Sequence, residues 1–412
     1  MSTGVRIPLG TPDSKKKKPP RAAFFHFAFN FSTMTMRLDL FCRVIDNYGD
    51  IGICWRLARQ LRAEHGIAVR LWVDDLASFQ RLCPDVDTSA ENQVVQGVAV
   101  RHWRDQDGMY TPEDVADIAI EFFAVDLPPN YVAAMAQCTP RPVWFNFEGL
   151  TAEEWVEGCH RLTSPHPQLP LTKHFFFPGF TDKTGGLLRE AALLDERRAF
   201  LAGPAIASDF LQSLGASPAE LAATRVSLFC YPFAPVAPLF EAWQGGAEAI
   251  TCFVPEGVAT QAVQGFLGGD AVAGAVATRG HLTVRVLPFV PQSDYDKLLW
   301  ACDVNLVRGE DSWVRAQWAG KPFVWHIYPQ DDNLHHKKLR AFLQRYAVGL
   351  DAISAFTLAW NGVHLDADWP ALWRGLRAEA PQIAARAVAW EREVAAYGDL
   401  TGNLVAFAQS LR

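Results

Sequence analysis

Residues 304–332 read VNLVRGEDSWVRAQWAGKPFVWHIYPQDD, from Val304 to Asp332. Val304–Val307 is a short apolar run with strand character. Arg308-Gly309 is a turn. Glu310-Asp311-Ser312 are acidic and hydroxyl residues suited to a helix start, where backbone N–H groups are unpaired and the dipole is positive. Trp313, Ala316 and Gln317 carry the helix to Gly320, a natural C-terminal stop. Lys321–Tyr328, rich in β-branched and aromatic residues, is expected to be the next strand. Strand, glycine turn, helix and strand in that order place a helix N-terminus at the carboxyl end of a sheet, which suits a nucleotide diphosphate. The same residues would serve equally well as an ordinary capped helix in an α/β core.

Working outward, the alternation repeats in both directions. Toward the N-terminus, Val226–Tyr231, Ala249–Val254 and Leu282–Val290 read as strands, separated by helices at Ala237–Trp243 and Ala259–Leu267. Pro291-Gln292-Ser293-Asp294 caps a helix at Tyr295–Ala301. Further back, the first convincing strand is Leu38–Ile45. It is followed by Asp46-Asn47-Tyr48-Gly49-Asp50-Ile51-Gly52, read as a loop of turn residues. A helix from Ile53 ends at Gly66, and a strand follows at Ile67–Val73. Helices are expected at Asp75–Leu82 and Pro128–Gln137, strands at Val98–Trp103, Val115–Phe123 and Pro142–Phe147. Ser164–Pro178 reads as irregular, with Phe175-Phe176-Phe177 packing at an edge or between domains. Alternating strands and helices imply a mostly parallel sheet. After Asp332, Asn333–Arg345 is helical with a basic, solvated face, and Pro381–Leu411 gives two terminal helices.

This pattern is α/β, with two Rossmann-like domains facing across a cleft in a GT-B-like arrangement. The divisions are an N-terminal domain at 36–195, a C-terminal domain at 220–385, and terminal helices at 386–412 that pack back on the first domain. The Ala- and Leu-rich segment 191–224 is the boundary. Residues 1–35, with Lys15-Lys16-Lys17-Lys18 before an apolar run, read as a disordered extension rather than a signal peptide, because His26 and Asn30 interrupt the apolar part.

The composition narrows the function. The chain has 412 residues, half of them hydrophobic, and a net charge of −7, which does not favour a nucleic-acid partner. No run is long enough for a membrane span. The eight cysteines are scattered without a CxxC pair, as expected of small core residues in a cytoplasmic protein rather than disulfides or metal ligands.

Ligands of open α/β sheets bind beyond the carboxyl ends of the strands. One such edge is Asp46–Gly52, whose two acids could activate an acceptor or simply cap a turn. The other is Arg308–Ser312, whose helix N–H groups could stabilise a departing diphosphate. His326 is expected to be a packed, hydrogen-bonded histidine. Asp331-Asp332 reads as capping before Asn333 rather than a metal pair, and Gly185-Gly186 as a turn at the acceptor or a hinge.

Two long motifs carry a resemblance. Phe41-Cys42-Arg43-Val44-Ile45-Asp46-Asn47-Tyr48-Gly49-Asp50-Ile51-Gly52 with Trp55-Arg56-Leu57-Ala58-Arg59 resembles the opening of the EarP family, protein-arginine rhamnosyltransferases that modify elongation factor P. Arg308–Phe323, running on to His326-Ile327-Tyr328-Pro329-Gln330-Asp331, resembles the same family. The resemblance spans most of the chain from Leu38. It implies a GT-B fold, dTDP-β-L-rhamnose as donor, an arginine of elongation factor P as acceptor, inversion at the anomeric carbon, and no metal or other cofactor. Carried over by motif, Asp50 would be the catalytic carboxylate with Asp46 in support. Phe229 and Tyr231 would flank the thymine, and Gln292 would contact the nucleotide. Arg308, Gly309, Glu310, Asp311 and Ser312 would form the ribose and diphosphate turn. Two other readings stay open: a GT-B enzyme or epimerase acting on a small glycan or lipid, and a non-catalytic nucleotide-sugar binding module.

Overall fold

Two separate sheets carry the described residues. In the computed structural model, residues 35–46, 48–104, 108–123, 125–363 and 366–412 are described; the expected N-terminal extension lies outside the described residues but for Thr35. Thr35–Arg412 forms one compact unit.

The first sheet has eight strands: β1 (Arg37–Cys42), β2 (Ala68–Val73), β3 (Asn92–Val95), β4 (Val98–His102), β5 (Ile118–Phe122), β6 (Val143–Phe147), β7 (Thr163–Pro165) and β8 (Thr172–Phe176). Their order is β3-β4-β2-β1-β5-β6-β8-β7. The second has six: β9 (Thr224–Leu228), β10 (Ile250–Pro255), β11 (Val276–Arg279), β12 (Leu282–Leu287), β13 (Val304–Arg308) and β14 (Phe323–His326), in the order β11-β12-β10-β9-β13-β14. All pairings are parallel except those of β3, β7 and β11, which close edges antiparallel. The parallel strands β5, β6, β10 and β14 are buried along their whole length, which is why they read as largely apolar runs. Asp39 on β1 is fully buried, yet it is paired: the Arg70 guanidinium donates twice to it, at 2.5 and 2.6 Å, and the Tyr131 hydroxyl donates to it as well.

Five helices frame the cleft or brace the sheets beside it: α1 (Gly49–His65), α2 (Gln292–Ala301), α3 (Asp311–Ala319), α4 (Ala380–Ala395) and α5 (Leu400–Ser410). α5 returns to the first sheet. The Phe407 ring lies 5.6 Å from Phe145 and 5.8 Å from His174. Just before α5, Asp399 accepts from Gln60 Nε2 at 3.2 Å.

Several expectations are corrected. The first helix begins at Gly49, not Ile53, so Asp50 sits in its first turn rather than in a loop. Ser164–Pro178 is not irregular throughout: β7 and β8 form an antiparallel hairpin there, with Pro165 on the edge where no ladder donor is needed. Phe176 turns into the core beside Phe147. Segment 191–224 contains helices at Leu193–Leu201, Pro204–Ser213 and Pro218–Leu221, two of them opening on a proline. β14 is shorter than Lys321–Tyr328, bracketed by Pro322 and Pro329. β3, β11 and the helices Asp351–Trp360 and Trp369–Ala378 were not anticipated.

Candidate active site

Strand order in each sheet reverses direction at one point, between β1 and β5 in the first and between β9 and β13 in the second. Crevices at such switch points are where open α/β sheets bind ligands. The loop after β1 and the turn after β13 lie at these two points and touch each other.

On the first side, α1 starts within a tight turn. The Gly49 amide donates to the Asp46 carbonyl at 2.7 Å, and a Cβ on Gly49 would lie 2.7 Å from Asp46 Oδ2, so any side chain there would displace the Asp46 carboxylate. Asp50 is buried, and its Oδ2 accepts from the Ile45 and Asp46 amides at 2.7 and 2.9 Å. Burial raises the Asp50 pKa; the two amides pull against it, and Asp74 adds to the rise. Asp46 is pushed up to about 6, chiefly by burial, with the Tyr231 hydrogen bond and Arg308 opposing.

On the second side, Gly309 turns β13 into α3 with φ of +59°, a left-handed conformation that glycine tolerates. Its close neighbours explain the residue further: a Cβ there would meet both Asp46 Oδ2 and the Tyr231 hydroxyl at 2.9 Å. Ser312 Oγ accepts from the Arg308 amide at 3.0 Å and donates to the Arg308 carbonyl, which locks the turn. The Arg308 guanidinium lies over three rings, 4.5 Å from Phe229, 4.8 Å from Tyr231 and 5.8 Å from Tyr48. Glu310 occupies the N-cap position of α3 without a capping hydrogen bond from its side chain. It keeps some exposure to the cleft, yet burial pushes it up to about 8; the Leu150 amide and Lys338 oppose this, and Asp50 and Asp311 add to it.

Two pockets share Asp46, Gly49 and Gly309 as a common wall. One is largely aromatic and apolar, with about 570 Å³ of empty space, and is lined by Phe229, Phe289, Tyr295, Arg308, Asp311 and Ser312 among others. The other gathers Asp46, Asp50, Glu148 and Glu310, with Lys338 as their cation. The Tyr231 hydroxyl donates to Asp46 Oδ2 at 2.6 Å and so ties the two sheets together at the junction.

Every catalytic or donor-side residue singled out from the sequence falls on this cleft or on its wall, though not always as expected. Phe229 lines the aromatic pocket, whereas Tyr231 is buried with its hydroxyl spent on Asp46. Gln292 is also buried; its Nε2 donates to the Gly52 carbonyl at 2.8 Å and to Asp311 Oδ2 at 3.2 Å. Gly185-Gly186 lines neither pocket and packs against the segment before α5 and against α5 itself, whose Asn403 Nδ2 donates to the Gly185 carbonyl at 3.0 Å. His326 is packed and hydrogen-bonded as read: its Nδ1 accepts from the Tyr231 amide at 3.2 Å, and burial, then Arg308, push it down to about 3. The basic face after Asn333 is not wholly solvated, since His335 is buried and Lys338 reaches the acidic pocket. Tyr48, Phe289, Tyr295 and Glu148 were missed. Glu148 had a usable signal, being the first residue past a buried strand at a sheet's carboxyl edge. Among the described residues no group of three or more His, Cys, Asp or Glu is placed to hold a metal ion, and no helix is long and apolar enough to cross a membrane.

Two doubly wound sheets meeting at their switch points, one bringing carboxylates and the other an open helix start, define the GT-B class of glycosyltransferases. A family model described as elongation-factor P (EF-P) rhamnosyltransferase EarP matches residues 38–409. The protein-arginine rhamnosyltransferase of Pseudomonas putida is 49% identical over 372 residues, covering 90% of this chain and 97% of that protein. The protein of the same description from Pseudomonas aeruginosa is 44% identical over 375 residues, covering 90% and 98%. A solved structure concerned with EarP-mediated arginine glycosylation of translation elongation factor EF-P superposes with a TM-score of 0.61 at 37% identity, over 91% of this chain and 99% of the other. The chain belongs to the EarP family.

Proposed function

We infer that this chain transfers L-rhamnose from dTDP-β-L-rhamnose to one arginine side chain of elongation factor P, inverting the anomeric carbon. Family membership supplies the acceptor and the sugar. The observation that carries the chemistry is the junction of the two pockets, where Asp46 and Asp50 stand against the Gly309–Ser312 helix start. Residues 36–195 are assigned to the acceptor, 220–385 to the donor, and 386–412 to bracing the first sheet.

An arginine guanidinium has a pKa of roughly 12.5–13.8 and is a poor nucleophile. Carboxylates can bind its fork and aim one nitrogen at the sugar. As that nitrogen forms its bond to C1, the C1–oxygen bond breaks and its electron pair leaves with dTDP. The nitrogen becomes far more acidic at the same moment, and Asp50, whose pKa is already raised, takes the proton. Asp46 orients the fork. Phe229 and the aromatic wall receive the thymine, with Tyr231 behind them. Gln292, Glu310, Asp311 and Ser312 serve the ribose and diphosphate, and Arg308 with the α3 amides meets the charge that develops on the leaving group. No metal is assigned a part. An acceptor that works on ribosomes puts the enzyme in the cytoplasm, in keeping with eight free cysteines.

The test is direct. Incubation with dTDP-rhamnose and elongation factor P is expected to add one deoxyhexose to an arginine, read by intact mass and peptide fragmentation. An unchanged acceptor mass would overturn the assignment.

A further inference from the structure

Arg56 lies on α1 six residues past Asp50, roughly 9 Å along the helix axis at 1.5 Å per residue. It is 2% exposed. Its Nε donates to Asp311 Oδ1 at 2.9 Å, and Nη2 donates to the Gln292 carbonyl at 3.3 Å. Nη1 reaches Asp296 Oδ2 at 3.3 Å and Glu190 Oε1 at 3.4 Å. One turn on, Arg59 Nη2 donates to Gln292 Oε1 at 3.2 Å. Gln292 in turn donates to the carbonyl of Gly52, also on α1. Two side chains that belong by sequence to the donor half, Asp311 and Gln292, are thus gripped by a helix of the other half.

The distances separate two roles that such an arginine could have. Asp296 and Glu190 already have a tighter cation: Arg315 donates to Asp296 at 2.7 and 2.9 Å and to Glu190 at 2.6 Å. Arg56 is peripheral to that cluster, and its shortest bond goes to Asp311. The packing agrees, because a Cβ on Gly52 would lie 3.2–3.3 Å from the Asp311 side chain. Gly52 therefore lets the carboxylate lie flat on α1 while Arg56 holds it there.

We propose that Arg56 is a positioning residue for the transfer: it pins the Asp311 carboxylate to α1, so that the donor turn and Asp50 keep one fixed separation. The proposal rests on the reading of Asp311 as a donor-side residue. Lysine cannot reproduce a planar guanidinium that serves four acceptors.

The experiment uses the full chain and three variants: Arg56→Lys, Asp311→Asn and Gly52→Ala, with the first two also combined. Transfer is measured with donor and acceptor varied separately, dTDP affinity is measured by calorimetry, and melting temperature is recorded for each. Arg56→Lys is expected to raise the donor KM and the dTDP Kd by about tenfold, equal to 1.4 kcal/mol, with little change in acceptor KM. Asp311→Asn is expected to do the same, and the double variant to be no worse than the weaker single one, because both remove one interaction. Gly52→Ala puts a good helix former in α1 and pushes on Asp311, so donor KM rises without a loss in melting temperature. A lowered melting temperature with unchanged donor KM in Arg56→Lys, or additive effects in the double variant, overturns the proposal. If Arg56→Lys does not fold, Gly52→Ala decides: normal melting with unchanged donor KM overturns it. An unmodified chain that binds dTDP but transfers nothing overturns only the transfer reading, since the affinity arm still decides Arg56; one that binds no dTDP overturns both.

Discussion

Asp50 carries two tasks on one carboxylate. Oδ2 holds the Ile45 and Asp46 amides and so shapes the loop, and the carboxylate faces the acidic pocket. Asparagine can keep the first task through its amide oxygen but cannot accept the proton. Asp50→Asn is therefore expected to lower kcat by roughly 10²–10⁴ while leaving dTDP affinity and melting temperature nearly unchanged. Initial rates by intact mass, with calorimetry on the same sample, check this; retained transfer would remove Asp50 from the proton-accepting role. Glu310 makes a different prediction, in pH. Burial raises it from 4.5 to about 8. A carboxyl whose folded pKa is raised contributes stability that is full below its unfolded pKa and is lost as pH rises through the folded one. Between about pH 4.5 and pH 8 the unmodified chain therefore loses stability from this group, and Glu310→Gln does not. Melting temperatures of the two should diverge with rising pH in favour of the variant, by up to about 6 °C for a chain of this size. Parallel melting profiles would mean the group titrates normally.

At the scale of elements, the β13–α3 turn is the tightest constraint. Gly309→Ala forces an L side chain into the left-handed region, at about 1–2 kcal/mol, and sets its methyl against Asp46 and Tyr231. The expected result is a lower melting temperature together with a loss of transfer of about tenfold or more, because the Tyr231–Asp46 bond at the junction must open. A variant with full activity would show that this bond is incidental. The same turn shows what a sequence can and cannot reveal. β13, α3 and β14 were legible because parallel strands buried on both faces leave apolar runs, and because glycine marks both ends of the helix. β3, β7 and β11 were not, since these edge strands are mostly exposed and carry no such run. The start of α1 was placed four residues late because Asp, Asn and Gly favour both turns and helix starts. For the site, each half's motif was readable by itself. The contacts that join the halves were not: Tyr231 and Asp46 are 185 residues apart and Arg56 and Asp311 are 255 apart, and no local pattern encodes such pairs.

At the scale of the whole molecule, an ion cluster lies within the apolar packing where the two sheets and the connecting segment meet. Arg315 is 1% exposed and joins Asp296 on α2 to Glu190, which precedes the helices between the sheets. Nearby, Arg197 pairs with Glu391 on α4, and Trp390 Nε1 donates to Gln317 on α3 at 2.8 Å. A buried ion cluster is weak evidence of net stability, but removing one member leaves the others uncompensated, at about 3–5 kcal/mol. Arg315→Met should therefore cost about that much in urea unfolding, and added salt should not restore it, because the charges are shielded from solvent. The pH dependence gives the mechanism. Burial alone would raise the Glu190 pKa, but Arg315 and Arg56 hold it well below the usual carboxylate range. A depressed carboxyl stabilises the fold above its unfolded pKa, and that contribution is lost as pH falls through the folded value. The gap between Arg315→Met and the unmodified chain should thus be widest above about pH 5 and should narrow on acidification below about pH 4.5, as Glu190 protonates more readily in the variant. A gap that is independent of pH would assign the loss to packing around the long arginine stem instead of to its charge.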